Sequence, residues 1–100
     1  MISNFSDLNS QGQKQARPID IFPEWTVIHV QVFGANTLYL ACSREELEKP
    51  LDQSGQQNGI PIVAGMGNQQ LNWKGPLWGL GSAPGTIANI ALPGRDKTGQ

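Results

Sequence analysis

One hundred residues make a single domain that buries roughly two-thirds of its unfolded surface, so the chain can hold a core but not a spacious one. Apolar residues are 38% and charged residues 15% of the chain, against about 45–50% and about 25% in ordinary globular domains; Gln, Asn, Ser, Gly and Pro fill the difference. Seven Lys and Arg stand against eight Asp and Glu, a formal net charge of −1 spread along the chain. No basic stripe offers itself to phosphates, which argues against nucleic acid as a partner, and no run approaches the ~20 apolar residues of a membrane helix.

Residues 1–20 read as an extended N-terminal arm. Ile2, Phe5 and Leu8 are isolated apolar residues with no partners to continue a helical stripe. Pro18 fixes its own backbone and disfavours helix at Arg17, which places a boundary between arm and domain at Arg17–Pro18. Such a segment is either disordered or ordered by a neighbouring subunit, with Phe5 and Leu8 as its interface residues in the second case. The N-terminus lacks the apolar stretch of a signal peptide, and the one cysteine, Cys42, has no intrachain partner. Both point to a protein made in a reducing cytoplasm.

From Trp25 the character changes. Trp25 to Phe33 is rich in β-branched and aromatic residues and alternates, with Ile28, Val30 and Val32 on one face and Val27, His29 and Gln31 on a mixed, partly covered one. Gly34-Ala35-Asn36 turns the chain into a second strand, Thr37 to Cys42, and the two strands read as a hairpin; Leu38, Leu40 and Cys42 share a face, so the thiol is expected to be buried. Ser43-Arg44-Glu45-Glu46 has the form of a capping box opening one or two helical turns anchored by Leu47 and stopped by Pro50. Residues 51–59 are almost devoid of apolar side chains and read as an exposed loop.

Ile60 to Ala64 is a short strand that Pro61 confines to an edge or a strand start. Gly65 to Asn68 turns it. Gln69 to Lys74 alternates around Leu71 and Trp73, Gly75-Pro76 is expected to break the run, and Leu77 to Leu80 resumes it. A turn over Gly81 to Gly85 leads to a last strand, Thr86 to Leu92, with Ala88, Ile90 and Leu92 on one side. Five or six short strands between Gly/Pro punctuation predict an all-β fold, a small antiparallel β-sandwich over residues 21–93, with 94–100 a flexible tail.

The candidate chemistry is thin. His29 is the only histidine, mid-strand and without Cys, Asp or Glu at ligand spacing, so no metal site is assigned. Glu45, Glu46, Glu48 and Asp52 form the one acidic cluster, yet Arg44 and Lys49 among them describe a solvated helix rather than an acid and base pair in an apolar pocket. Ser82 lacks the glycines of a nucleophile elbow, since Leu80 and Pro84 hold those positions, and no Gly-x-Gly leads to a phosphate-cradling Lys-Ser/Thr. The chain is read as no enzyme, with no catalytic residue and no cofactor. Trp73 and Trp78 remain, either as core fillers or as interface anchors, Trp being enriched at binding hot spots. A surface of neutral amides fits contact with other protein, although a merely polar, loop-rich domain would share that composition.

The segment Leu71 to Leu92, LNWKGPLWGLGSAPGTIANIAL, resembles the C-terminal portion of small bacteriophage structural proteins, with an aromatic strand, a Gly-Pro-Leu-aromatic step and a Ser-Ala-x-Gly-Thr turn into a final strand. The strand Thr37 to Cys42 followed by Ser-Arg-Glu-Glu is similar too, and together these cover about half the chain. Gly79 and Gly81 depart from it, standing where bulkier residues are usual. The resemblance implies a virion structural protein of jelly-roll type: a capsid decoration or cement subunit that stabilises contacts between capsid proteins. Its implied partners are the major capsid protein and copies of itself, as a homo-oligomer such as a trimer, and its implied place is the virion after synthesis in the host cytoplasm. A carbohydrate- or receptor-binding module using Trp73 or Trp78, or a tail or vertex component, is the alternative.

Overall fold

A computed structural model of the chain describes residues 2–6, 11–50 and 53–91. Six strands and one short helix follow one another: β1 (Ile2–Phe5), β2 (Arg17–Phe33), β3 (Thr37–Ala41), α1 (Arg44–Glu48), β4 (Ile60–Val63), β5 (Gln69–Gly81) and β6 (Thr86–Ala91). Among the described residues all pairings are antiparallel, in one sheet of order β1-β6-β2-β5-β3-β4, so the all-β expectation holds. The expected hairpin of β2 with β3 does not form: β5 lies between them and pairs with both. β4 is an edge strand carrying Pro61, as the missing N–H requires.

The long strands curl the sheet. β2 has 17 residues, roughly 56 Å if straight at ~3.3 Å per residue, which exceeds the 45 Å of the molecule's longest dimension. It bends at two register shifts against β5, between Pro18 and Asp20 and between Phe22 and Thr26. The expected break at Gly75-Pro76 does not occur: β5 is continuous from Gln69 to Gly81. Gly75 takes φ 88°, open to glycine, and stands across the ladder from Phe22 where the second bulge begins, so the two strands bend together. The Pro76 carbonyl accepts a 2.8 Å hydrogen bond from Trp73 Nε1 across the same bend.

The inner face holds the core. Ile28, Val30 and Val32 of β2 meet Leu38 and Leu40 of β3 and Ala88 and Ile90 of β6, as their alternation predicts; Leu92 lies outside the described residues. Phe5 joins them at 2% exposure. This corrects the reading of the N-terminal segment as an arm separate from the domain. β1 pairs along the outer edge of β6, Gly81 N donates to Ser6 O at 3.3 Å, and Arg17 Nη1 donates to Asn4 O at 2.7 Å with its guanidinium 5.6 Å above the Phe5 ring. β2 itself starts at Arg17 and runs through the Arg17–Pro18 step. The glycines that depart from the resemblance explain the fit: a Cβ on Gly79 would lie 2.8 Å from Phe5 Cε1, and one on Gly81 would lie 3.1 Å from Phe5 O. The tail 94–100 lies outside the described residues.

A second layer covers part of the outer face. Tyr39 and Ala41 of β3 pair with Leu80 and Trp78 of β5, and Leu47 of α1 and Ala16 close over them. Ser43 Oγ caps the helix by accepting from Glu46 N at 3.3 Å, which is half of the expected capping box. Glu48 Oε2 accepts from Ala16 N at 2.8 Å, and Lys14 Nζ donates to Lys49 O at 2.9 Å, so the segment before β2 is tied to the helix. Cys42 is exposed, against expectation: β3 ends at Ala41 and the chain turns there towards the Ser43 cap, taking Cys42 out of the alternation.

Candidate functional site

Among the described residues, titratable side chains stand apart from one another or are engaged structurally. His29 lies mid-β2 between Ala91 of β6 and Gln70 of β5. Glu48 and Glu46 form ion pairs with Arg44 and Lys49 at 3.2 and 3.3 Å on the surface of α1; Asp52 lies outside the described residues. Ser82 Oγ accepts from Thr37 N at 2.9 Å, clamping the turn to β3. Among the described residues no three His, Cys, Asp or Glu side chains gather as metal ligands.

A concavity of about 580 Å³ opens between loop 55–59, Lys14, Tyr39 of β3, Pro61 of β4 and the end of β5. Its polar groups hold the loop in place. Lys14 Nζ donates to Gln57 Oε1 at 2.7 Å and Gln57 Nε2 donates to Leu47 O at 2.7 Å.

Of the four residues expected at an interface, the three that the structure describes are not brought together. Phe5 is core, and Trp73, at 9% exposure, is also core with its indole N–H committed to Pro76 O. Neither is available to a partner, because the sheet curls over both. Trp78 is half-buried against the layer that α1 covers, and Leu8 lies outside the described residues. Sequence reasoning missed the exposed tryptophan, Trp25, at 71%. It sits in the β2 bulge, two residues before Val27, and the bulge exists only through pairing with β5; the one local signal is Pro23, which interrupts the strand alternation beside it.

The outer face of β1, β6 and β2, with the adjoining part of β5, is the surface most suited to binding. Successive rows across the strands are Asn4, Ile87 and Phe33; then Ile2, Asn89 and Gln31; then Ala91, His29 and Gln70; then Val27 and Asn72. Apolar side chains alternate with amides, and Ile2, Ile87, Phe33 and Val27 are all exposed. Among the described residues this face carries no Asp, Glu, Lys or Arg. Charge returns only at its bulged end, with Glu24 and Lys74. The mixed second face read from the Val27, His29, Gln31 alternation is this surface, and α1 does not reach it: the helix packs on β3 and β5.

No protein-family model, curated protein or solved structure matches this chain.

Proposed function

We propose that this chain is a non-catalytic structural subunit that works by binding other protein subunits. The observation that carries this reading is a tryptophan exposed at 71%, Trp25, beside a sheet face that bears apolar and amide side chains without charge. Exposed aromatic area next to an uncharged patch is the composition of an interface core, where charged residues are depleted and Trp is a frequent anchor. The resemblance of Leu71–Leu92 to small bacteriophage structural proteins gives the reading its specific form, a capsid decoration or cement subunit bound over a junction of the major capsid protein in the virion. A glycan-binding alternative would draw on Trp73 or Trp78. The first is buried and the second half-buried, which favours the protein-binding form.

The test is binding of the purified chain to capsid particles that lack it, compared with Trp25→Ala. Removing a hot-spot tryptophan costs about 2 kcal/mol or more, so binding weakens about 30-fold with the fold intact by circular dichroism. No binding by the wild type, or equal binding by the variant, refutes the proposal.

A further inference from the structure

We infer that Asn58 is a self-modification site: its side-chain carboxamide is attacked by the main-chain nitrogen of Gly59, and the loop before β4 passes from asparagine to aspartate and isoaspartate. The inference stands apart from the subunit-binding role and uses none of its residues.

The reaction needs an asparagine side chain able to swing onto the next peptide nitrogen, and a nitrogen that nothing shields or holds. Of the seven asparagines in the chain, Asn58 is the one followed by glycine; at the others the next residue carries a Cβ that crowds the approach. Packing imposes the glycine here. Gly59 has φ +117°, and a Cβ on it would lie 2.8 Å from Leu47 Cδ2 and 3.1 Å from Leu40 O. The loop therefore cannot lose the reactive pair by exchanging Gly59 for a shielding residue. Among the described residues no hydrogen bond holds the Asn58 carboxamide or the Gly59 N–H; Asn58 is engaged through its main-chain carbonyl alone.

That one bond lies where charge develops. Before it attacks, the Gly59 nitrogen gives its proton to solvent base, and resonance spreads the negative charge across the peptide onto Asn58 O. Gln57 Nε2 already donates to this oxygen at 3.1 Å. Its second N–H is fixed on Leu47 O at 2.7 Å, and its Oε1 accepts from Lys14 Nζ at 2.7 Å. The ammonium draws electron density from the amide and strengthens its donation. A donor held in place on an oxygen that becomes anionic stabilises the step without reorganising.

The Gly59 nitrogen then bonds to Asn58 Cγ, and the side-chain nitrogen leaves as ammonia, taking a proton from solvent. A cyclic imide remains. Water opens it by breaking the bond from the nitrogen to Asn58 Cγ, which gives aspartate, or the bond to the main-chain carbonyl carbon, which gives isoaspartate. Either product adds a carboxylate to the loop that Lys14 ties to α1. The second also lengthens the main chain by one carbon beside Leu47 and Tyr39, where the loop has no slack.

The full chain, folded in neutral buffer and unfolded in urea, is sampled over time by peptide mass spectrometry with separation of aspartate from isoaspartate. The folded chain is expected to convert at Asn58 at least as fast as the unfolded one, with no other asparagine changing first. Gln57→Glu keeps an acceptor for Lys14 Nζ but turns a carboxylate towards Asn58 O. It should slow conversion of the folded chain about tenfold, the worth of one hydrogen bond, to below the unfolded rate, and leave the unfolded rate unchanged. Lys14→Met, which withdraws the ammonium and leaves the donor, should slow it by less. Near-ultraviolet circular dichroism checks the fold of both variants. A folded wild type slower than the unfolded chain overturns the inference, and this comparison needs no variant. So does a folded Gln57→Glu chain that keeps the wild-type rate, or one that settles at the unfolded rate, which would make Gln57 a fastener of the loop and no more.

Discussion

Replacing Gly79 by Ala adds a methyl 2.8 Å from Phe5 Cε1 and 3.1 Å from Ile19 Cδ1. Gly79 is outside the left-handed backbone region, so Ala meets no strain in the main chain and by itself should stabilise the strand by about 0.4–1 kcal/mol through the unfolded state. The contact reverses the sign. Phe5 is buried against the core of the sheet and has little room to yield, and overpacking of this kind costs about 1–3 kcal/mol. A net loss of about 1–2 kcal/mol is expected, which lowers the melting temperature by roughly 5–15 °C in a domain of this size. Phe5→Ala alone should cost about 3–5 kcal/mol, and in that background Gly79→Ala should turn neutral or stabilising, giving a coupling energy of about 2 kcal/mol. Urea unfolding of the four proteins, fitted with a common slope, measures it; Phe5→Leu provides the same comparison at smaller cost. Additivity within about 0.5 kcal/mol, or a stabilising Gly79→Ala in the otherwise unchanged chain, would refute the packing of β1 over β5.

Two further outcomes follow from the second layer. Glu48→Ala removes the acceptor of the Ala16 N–H, which is buried beside α1, and should destabilise by about 1–3 kcal/mol, whereas Glu48→Gln keeps an acceptor oxygen and should recover most of the loss in the same denaturation assay. Cys42 is exposed beyond the end of β3, so a thiol reagent should label it completely in the native protein without unfolding; protection until denaturation would return it to the core.

Local chemistry made most elements legible. The β-branched run before Phe33, the Gly34-Ala35-Asn36 turn, the Ser43 cap with its Leu47 anchor and the edge position of Pro61 each rest on interactions between near neighbours, and each stands in the structure. The readings that failed depend on residues far away in sequence. Gly75-Pro76 looks like a strand breaker until the bulge in β2 gives it a partner to bend with. Phe5 looks like the contact of a free arm until Gly79 leaves a place for its ring and Gly81 for its backbone. Trp73 looks like a core filler or an interface anchor and Trp25 like the start of a strand, and only the tertiary structure buries the first and exposes the second.

By itself, then, the sequence determined the all-β class, the positions of the turns and the mixed second face of β2, because periodicity and turn chemistry act within a few residues. The tertiary structure decided which part of that face α1 covers and which stays open, and it alone joined β1, β6 and β2 into one uncharged surface. Strand order is set by pairing between segments as distant as Asn4 and Ile87, and no local pattern encodes it.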